Sequence, residues 1–307
     1  MITDLPADLK ISADVPLASL TSMRVGGPAE WFISPRHTAE LAASLVWARE
    51  KNLPITLIGA GSNLLISDRG LPGLVICTRY LRGFELDEQT GKLTAAAGEP
   101  VARLAWQAAA KGWAGFEWAV GIPGTVGGLV IMNAGAQGGC AADCVIGTET
   151  VDTTGQIEQL TPDDLNFSYR SSSLQYSDED AIAGKIMRIV TGATIQLTPG
   201  FEPEKITAVT SDHLKYRHTT QPYNLPSCGS VFRNPYPHAA ARLIEQAGLK
   251  GYQIGNAQVA QLHANFILNR GGATANDIFQ LIQYIKAKVK QQWSVDLETE
   301  VKMLGHF

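Results

Sequence analysis

Residues 226–235, with the sequence PSCGSVFRNP, have the residue types best suited to chemistry. A proline fixes its own φ and restricts the residue before it, so the segment is predicted to be a rigid loop. Gly229 allows close backbone approach, and Ser230 offers one hydroxyl that could donate or accept a proton. The same residue types also build plain surface turns, so that alternative stays open on the residues alone.

A first glycine-rich turn, residues 59–63 (GAGSN), follows the apolar run 55–58 and precedes Leu64. The dinucleotide fingerprint GxGxxG needs a third glycine where this chain has Leu64, and no helix start follows. The turn is therefore not of the Rossmann type. It could still be an anion nest of successive N–H groups, and a tight turn without a ligand is the alternative.

A second glycine-rich turn, residues 121–128 (GIPGTVGG), leads to Asn133 and Gly135. Because glycine has no side chain, a turn this rich in glycine leaves the backbone accessible, so that a flat or anionic group can lie against it. Neither turn contains a lysine. We therefore expect a pyrophosphate held by backbone N–H groups.

Charged side chains elsewhere are further candidates. Arg170 is an isolated cation among hydroxyls and a tyrosine, which suits either a surface position or a guanidinium aimed at a carboxylate. Glu298, Glu300 and Lys302 alternate along a predicted strand, 297–303, and would share one face. One of these carboxylates would be functional only if that strand runs past the Ser230 loop.

Metal binding is not expected. Cys140 and Cys144 are four residues apart, but no histidine or further cysteine lies near them to complete a tetrahedral set. The lone His263 next to a predicted strand is more typical of a structural histidine than of a catalyst.

The elements that must position these residues alternate between short strands and helices, and the chain is long enough for roughly two domains. Strands are predicted at 31–33, 55–58, 64–66, 74–77, 93–97 and 186–197, and a hairpin at 145–160. Helices are predicted at 38–52, 100–111, 204–217, 239–247 and from 274 to about 293. The Pro- and Gly-rich segment 199–203 is the predicted linker, which gives domains 1–200 and 201–307.

Composition is typical of a soluble globular protein. The 307 residues are 45% hydrophobic and 18% charged, with a formal net charge of -4, so a nucleic-acid partner is not expected. The four cysteines suit a reducing cytoplasm. Residues 1–10 lack the basic start and apolar core of a signal peptide, and no apolar run is long enough to span a bilayer. No obligate protein partner is indicated.

Five motifs together resemble the UDP-N-acetylenolpyruvoylglucosamine reductase family over nearly the whole chain. They are residues 22–29 (SMRVGGPA), 59–65 (GAGSNLL), 121–128, 226–235 and 297–300 (LETE). The resemblance implies an α+β protein, with a vanillyl-alcohol-oxidase or PCMH-type FAD-binding fold followed by a smaller α+β substrate-binding domain. It also implies bound FAD, NADPH as co-substrate, and reduction of UDP-N-acetylglucosamine enolpyruvate to UDP-N-acetylmuramate for peptidoglycan synthesis.

Residue roles follow from the same resemblance. The family's catalytic arginine, serine and glutamate fall on Arg170, Ser230 and Glu300, and its substrate-contacting amide falls on Asn234. Arg217 and His263 are added as candidate substrate-binding residues. The interval between Arg170 and Ser230 is too short for the extra tyrosine-bearing loop of one subgroup, so the chain resembles the shorter type. Candidate cofactor-binding residues are Gly59, Gly61, Ser62, Asn63, Leu64, Gly121, Ile122, Pro123, Gly124, Thr125, Gly128, Asn133 and Gly135.

Two other functions are compatible with these patterns. A flavin oxidase or dehydrogenase of the same fold would need a base near the flavin, and Ser230 is too weak a base for that role. A nucleotide-sugar binding protein without chemistry would use the glycine turns to hold a diphosphate alone. Purification as a colourless protein that takes up no FAD would exclude both flavin functions.

Overall fold

The computed structural model describes residues 9–176 and 186–307. Most of the N-terminal segment on which the signal-peptide expectation depends, residues 1–8, lies outside the described residues. The described chain divides into two compact units whose segments interleave along the sequence. Within the described residues, unit 1 comprises 9–12, 32–60, 73–176 and 186–216, and unit 2 comprises 13–31, 61–72 and 217–307. The two-domain division at residue 200 stays a prediction.

The described residues combine short strands with helices. The strands are β1 (Ser12–Pro16), β2 (Pro28–Ile33), β3 (Ile55–Ile58), β4 (Leu64–Ile66), β5 (Leu71–Cys77), β6 (Phe84–Asp87), β7 (Lys92–Ala96), β8 (Gly135–Ala136), β9 (Gly139–Cys140), β10 (Val145–Asp152), β11 (Ile157–Leu160), β12 (Arg188–Gln196), β13 (Gln253–Ile254), β14 (Ala257–Val259), β15 (Ile267–Asn269) and β16 (Lys302–Leu304). The helices are α1 (Thr38–Glu50), α2 (Val101–Ala110), α3 (Val126–Ile131), α4 (Pro162–Leu165), α5 (Pro203–Thr220), α6 (Ala240–Gln246) and α7 (Ala275–Trp293).

Unit 1 contains a five-stranded sheet with the order β11-β10-β12-β7-β6, in which every neighbouring pair is antiparallel. In the same unit β3 pairs with β5 in parallel. Helix α3 packs on the five-stranded sheet, and a Cβ at its Gly127 would lie only 3.3 Å from the Cβ of Ala97. Any side chain there would require the neighbouring atoms to shift, so glycine suits this close packing of helix on sheet.

Unit 2 is built around α7, which covers the three-stranded antiparallel sheet β13-β14-β15. The helix buries one apolar stripe, at Ile278, Leu281, Ile282, Ile285 and Val289. Trp293, at the last turn, is 42% exposed. Thr274 caps the helix, because its side chain accepts a hydrogen bond from the Asp277 amide.

Two predicted elements differ from the structure. The alternating segment 297–303 is a strand only at its end, as β16, which pairs in parallel with β4. Before it, residues 297–301 lie beside the irregular loop of Ser230. An isolated bridge between Phe232 and Thr299 joins the two segments, which form no continuous β-ladder. The second glycine turn is also shorter than predicted, because Gly127 and Gly128 are already inside α3.

Candidate active site

The loop around Ser230, in unit 2, is held by a buried asparagine that the sequence analysis did not single out. Asn265 is 4% exposed. Its side-chain oxygen accepts a hydrogen bond from the Phe232 amide at 2.9 Å, and its side-chain nitrogen donates to the Phe232 carbonyl at 2.8 Å. The Asn265 carbonyl also accepts from the Val231 amide at 2.8 Å. These bonds fix the backbone immediately after Ser230, which is itself partly buried.

The segment that carries Glu300 runs past this loop. The Glu300 amide donates to the Val231 carbonyl at 2.8 Å, and the Arg233 amide donates to the Glu298 carbonyl at 2.9 Å. An antiparallel bridge joins Phe232 and Thr299 between them. The segment therefore runs past the Ser230 loop, as a functional carboxylate on it would require. The function of that carboxylate stays a prediction. Glu298 is 78% exposed in its side chain, whereas Glu300 is partly buried.

Asn63, predicted to bind the cofactor, contacts the same segment. Its side-chain nitrogen donates to the Glu300 carbonyl at 3.1 Å, and its own carbonyl accepts from the Lys302 amide at 3.0 Å. Gly61, two residues earlier, has φ of +68°, and a Cβ there would lie 2.0 Å from the Leu20 carbonyl oxygen. Unit 2 therefore brings Gly61, Ser62, Asn63 and Leu64 together with the loop of Ser230 and with Glu300.

Cys228 lies two residues before Ser230 but points into the core, where it is 3% exposed. Burial, together with the nearby Glu300 carboxylate, raises the pKa of its thiol to about 12. The thiol is therefore protonated at neutral pH, and it is chemically separate from the hydroxyl of Ser230.

Unit 1 places Arg170 beside another predicted cofactor residue. The guanidinium donates to the Gly135 carbonyl at 2.9 Å and lies 5.1 Å from the centre of the Tyr169 ring. Arg170 has φ of +57°, which a residue with a Cβ adopts only when its surroundings fix it. Asn133 supports the same turn by donating to the Ser168 carbonyl at 2.9 Å, and it is 6% exposed.

Thr125 and Gly59 form a cradle in unit 1 that fits a bound group such as FAD. The Thr125 hydroxyl oxygen is buried and has no hydrogen-bond partner within the part of the chain that the structure describes. A Cβ at Gly59 would lie 2.9 Å from that oxygen. A buried hydroxyl normally has a partner, so a ligand atom in this space would satisfy it.

The remaining cofactor candidates, Gly121, Ile122, Pro123, Gly124 and Gly128, lie around the start of α3. Here two backbone N–H groups are already used, since Val126 donates to the Glu99 carbonyl at 3.0 Å and Gly127 to the Ala97 carbonyl at 2.8 Å. Neither amide is therefore available to hold a pyrophosphate.

The three predicted substrate-binding residues make contacts within the protein. The Asn234 side-chain oxygen accepts from the Ala240 amide at 3.0 Å, at the start of α6. The Arg217 guanidinium donates to the Tyr223 hydroxyl at 3.0 Å. His263 Nδ1 accepts from the Asn265 amide at 3.3 Å, and burial lowers the pKa of this histidine. Their contact with substrate stays a prediction.

A cavity of about 500 Å³ in unit 2 was missed by sequence reasoning. Its lining includes His218 and Tyr223, whose rings stack with centres 4.6 Å apart, and also Gln258 and Arg270. These residues come from segments far apart in the sequence, so no local motif signals the cavity.

Two negative findings apply to residues 9–176 and 186–307. Within those ranges no helix is long and apolar enough to cross a membrane. The same ranges contain no group of three or more His, Cys, Asp or Glu side chains arranged to hold a metal ion.

Comparison with known proteins covers the chain almost completely. Residues 221–304 match the family model described as UDP-N-acetylenolpyruvoylglucosamine reductase, C-terminal domain, and residues 29–161 match the FAD binding domain. UDP-N-acetylenolpyruvoylglucosamine reductase of Trichormus variabilis is 58% identical over 97% of this chain and 87% of its own length. That of Synechocystis sp. is 52% identical over 97% of this chain and 92% of its own length.

A solved structure gives the same result. The crystal structure of UDP-N-acetylenolpyruvylglucosamine reductase from Thermus caldophilus superposes with a TM-score of 0.79, at 31% identity, over 97% of this chain and 99% of that one. The predicted resemblance, the α+β fold class with its PCMH-type FAD-binding region, and FAD as cofactor are thereby confirmed. The chain belongs to the UDP-N-acetylenolpyruvoylglucosamine reductase family and is an FAD-dependent oxidoreductase.

Proposed function

We propose that this protein reduces UDP-N-acetylglucosamine enolpyruvate to UDP-N-acetylmuramate with NADPH, in the cytoplasm, as a step of peptidoglycan precursor synthesis. The observation that carries the proposal is the convergence in unit 2 of the Ser230 loop, the Glu300 segment and Asn63, joined by backbone hydrogen bonds. The family membership at 52–58% identity supports the same substrate.

FAD, when bound, would supply redox chemistry that the side chains lack, namely hydride transfer from NADPH to the methylene carbon of the enolpyruvyl group. Thr125 and Gly59, both in unit 1, would hold it. The fit is supported by the unpaired, buried Thr125 hydroxyl beside the side-chain-free Gly59, within the described residues. We assign FAD binding mainly to residues 1–200 and substrate binding mainly to 201–307.

Ser230 would donate the proton that completes the reduction. Hydride addition to the methylene carbon leaves negative charge on the neighbouring carbon and on the substrate carboxylate, as in an enolate. A serine hydroxyl is a very weak acid, but a carbon of this kind is basic enough to take its proton. The fixed backbone on the C-terminal side of Ser230 would keep its hydroxyl aimed at that carbon.

Arg170 and Glu300 would act on the negative charge that develops on the substrate during hydride addition. A guanidinium near the substrate carboxylate stabilises the enolate-like state more than the ground state, which is what accelerates the reaction. Glu300 would orient the site or help to carry the proton, and it is the partly buried member of the pair Glu298 and Glu300.

Flavin absorbance tests the proposal directly. The purified protein should be yellow, should bleach when NADPH is added without oxygen, and should regain its colour when UDP-N-acetylglucosamine enolpyruvate is added. Recovery of colour with oxygen alone, and none with the enolpyruvyl sugar nucleotide, would show an oxidase instead. A protein that binds the sugar nucleotide but takes up no FAD would contradict the reductase.

A further inference from the structure

The turn that carries Arg170 owes its shape to contacts with the end of α3. Arg170 has φ of +57°, a left-handed conformation that is unfavourable for a residue with a Cβ. Such a conformation persists where the surrounding structure over-determines it, and it is common at functional sites.

Gln175 makes the most direct contact. Its side-chain nitrogen donates to the Arg170 carbonyl at 2.9 Å and to the Ile131 carbonyl at 3.2 Å. An amide nitrogen carries two hydrogens, so one side chain can bond both carbonyls. Because Ile131 is the last residue of α3, Gln175 ties the peptide of Arg170 to the end of that helix.

Other contacts close the turn without bonding Arg170 itself. Ser168 and Ser171 exchange two backbone hydrogen bonds of 3.1 Å. The Ser172 hydroxyl donates to the Ile131 carbonyl at 2.9 Å. Gln175 thus connects the strained residue to a neighbouring helix, while the serines shape the loop around it.

We propose that Gln175 is a positioning residue of the reductase. It holds the Arg170 backbone in its left-handed conformation, which keeps the guanidinium at the Gly135 carbonyl. This inference rests on the role proposed above for Arg170. Gln175 acts through that residue and has no part in NADPH oxidation.

The test uses stopped-flow measurement of the two half-reactions in Gln175→Glu. A carboxylate cannot donate a hydrogen bond, and it would face two carbonyl oxygens. The turn would therefore lose both hydrogen bonds that Gln175 makes. Reoxidation by the enolpyruvyl sugar nucleotide should slow about 10- to 100-fold, as for other residues that orient a reacting group, while flavin reduction by NADPH is unchanged. Gln175→Lys restores donation to both carbonyls and should recover most of the rate.

Gln89→Glu is the matched control, because it makes the same charge change on an exposed turn of unit 1. It should alter neither half-reaction. If Gln175→Glu does not fold, Gln175→Met removes the donors without adding charge and takes its place. Equal slowing of both half-reactions would mean a general structural role and would overturn the inference.

Combination with Arg170→Ala separates the two proposals. If Gln175 acts through Arg170, adding Gln175→Glu to Arg170→Ala slows reoxidation no further, whereas additive slowing contradicts it. Slow reoxidation in Arg170→Ala with normal reoxidation in Gln175→Glu would overturn the positioning role alone. Normal reoxidation in Arg170→Ala would overturn the proposed role of Arg170, and the inference with it.

Discussion

Ser230 and Cys228 stand two residues apart and differ in what surrounds them. The thiol is buried and protonated, with a pKa raised to about 12, while Ser230 is only partly buried. Ser230→Ala should therefore slow reoxidation by substrate by about 10²–10⁴-fold, the usual effect of losing a positioned general acid. Flavin reduction by NADPH needs no such donor and should be nearly unchanged in the same stopped-flow traces.

Two further variants sharpen this prediction. Ser230→Cys should recover part of the loss, because a thiol is a stronger acid of similar size. Ser227→Ala, in the same loop, should have a far smaller effect on either half-reaction if the loop presents Ser230 to the substrate. Equal slowing of both half-reactions in Ser230→Ala would show that the residue shapes the flavin pocket and donates no proton.

Glu298 and Glu300 are the second matched pair. Both lie on the segment beside the Ser230 loop, but Glu298 is 78% exposed in its side chain and Glu300 is partly buried. We expect Glu300→Gln to slow substrate reduction by about 10²-fold or more while FAD stays bound, and Glu298→Gln to keep turnover. The measurement is steady-state turnover alongside the flavin spectrum. The reverse pattern would identify Glu298 as the functional carboxylate.

Helix α3 and the turn before it can be tested as a cofactor cradle. Thr125→Val keeps the side-chain volume but removes the unpaired hydroxyl, so FAD should bind about fivefold more weakly, since one hydrogen bond contributes about 1 kcal/mol. Thr148→Val is the control, because its hydroxyl in β10 is also buried without a partner among the described residues. Titration of the apoprotein with FAD should give the wild-type affinity for that variant.

At the level of elements, the sequence predicted most of the strands and helices. Prolines, glycines and apolar spacing act locally, which is why α2, the hairpin of β10 and β11, and α7 lie where they were expected. The segment 297–301 was expected as a strand, but its pairing with an irregular loop depends on contacts distant in sequence. Alternation alone could not reveal that.

The candidate site was predictable only in part for the same reason. Ser230 and Arg170 stand out by residue type or by family resemblance. Asn265 and Gln175 do not, because each acts through hydrogen bonds to carbonyls or amides of other segments. Nothing in the sequence around Gln175 distinguishes it from an ordinary surface glutamine. Supporting residues of this kind become visible when the backbone positions they bond are known.

At the scale of the whole molecule, the partly buried His263 should make stability depend on pH. Burial lowers the pKa of His263 below its usual 6.5, so the unfolded chain takes up the proton first. The free energy of unfolding should be unaffected by His263 above that value and should fall as the pH drops from it toward the folded-state pKa. Protonation would also place a proton on the nitrogen that accepts from the Asn265 amide.

The variant His263→Gln checks this effect, since glutamine can still accept a hydrogen bond but does not titrate. Its thermal unfolding midpoint should fall less between neutral and mildly acidic pH than the wild-type midpoint does. His238→Gln, at an exposed position, serves as the comparison and should follow the wild type. A parallel decline for wild type and His263→Gln would remove the histidine as the cause.

The order in which the substrates bind can be predicted from the nucleotide-binding motifs of the sequence. The turn at residues 59–63 lacks the third glycine of the dinucleotide fingerprint, and the sequence has no P-loop motif. NADPH and the sugar nucleotide are therefore expected to use one site at the flavin in turn. Double-reciprocal plots of initial velocity, with both substrates varied, should give parallel lines. Each substrate in excess should inhibit competitively with respect to the other. Intersecting lines would mean that both are bound at once, which would require a second nucleotide site.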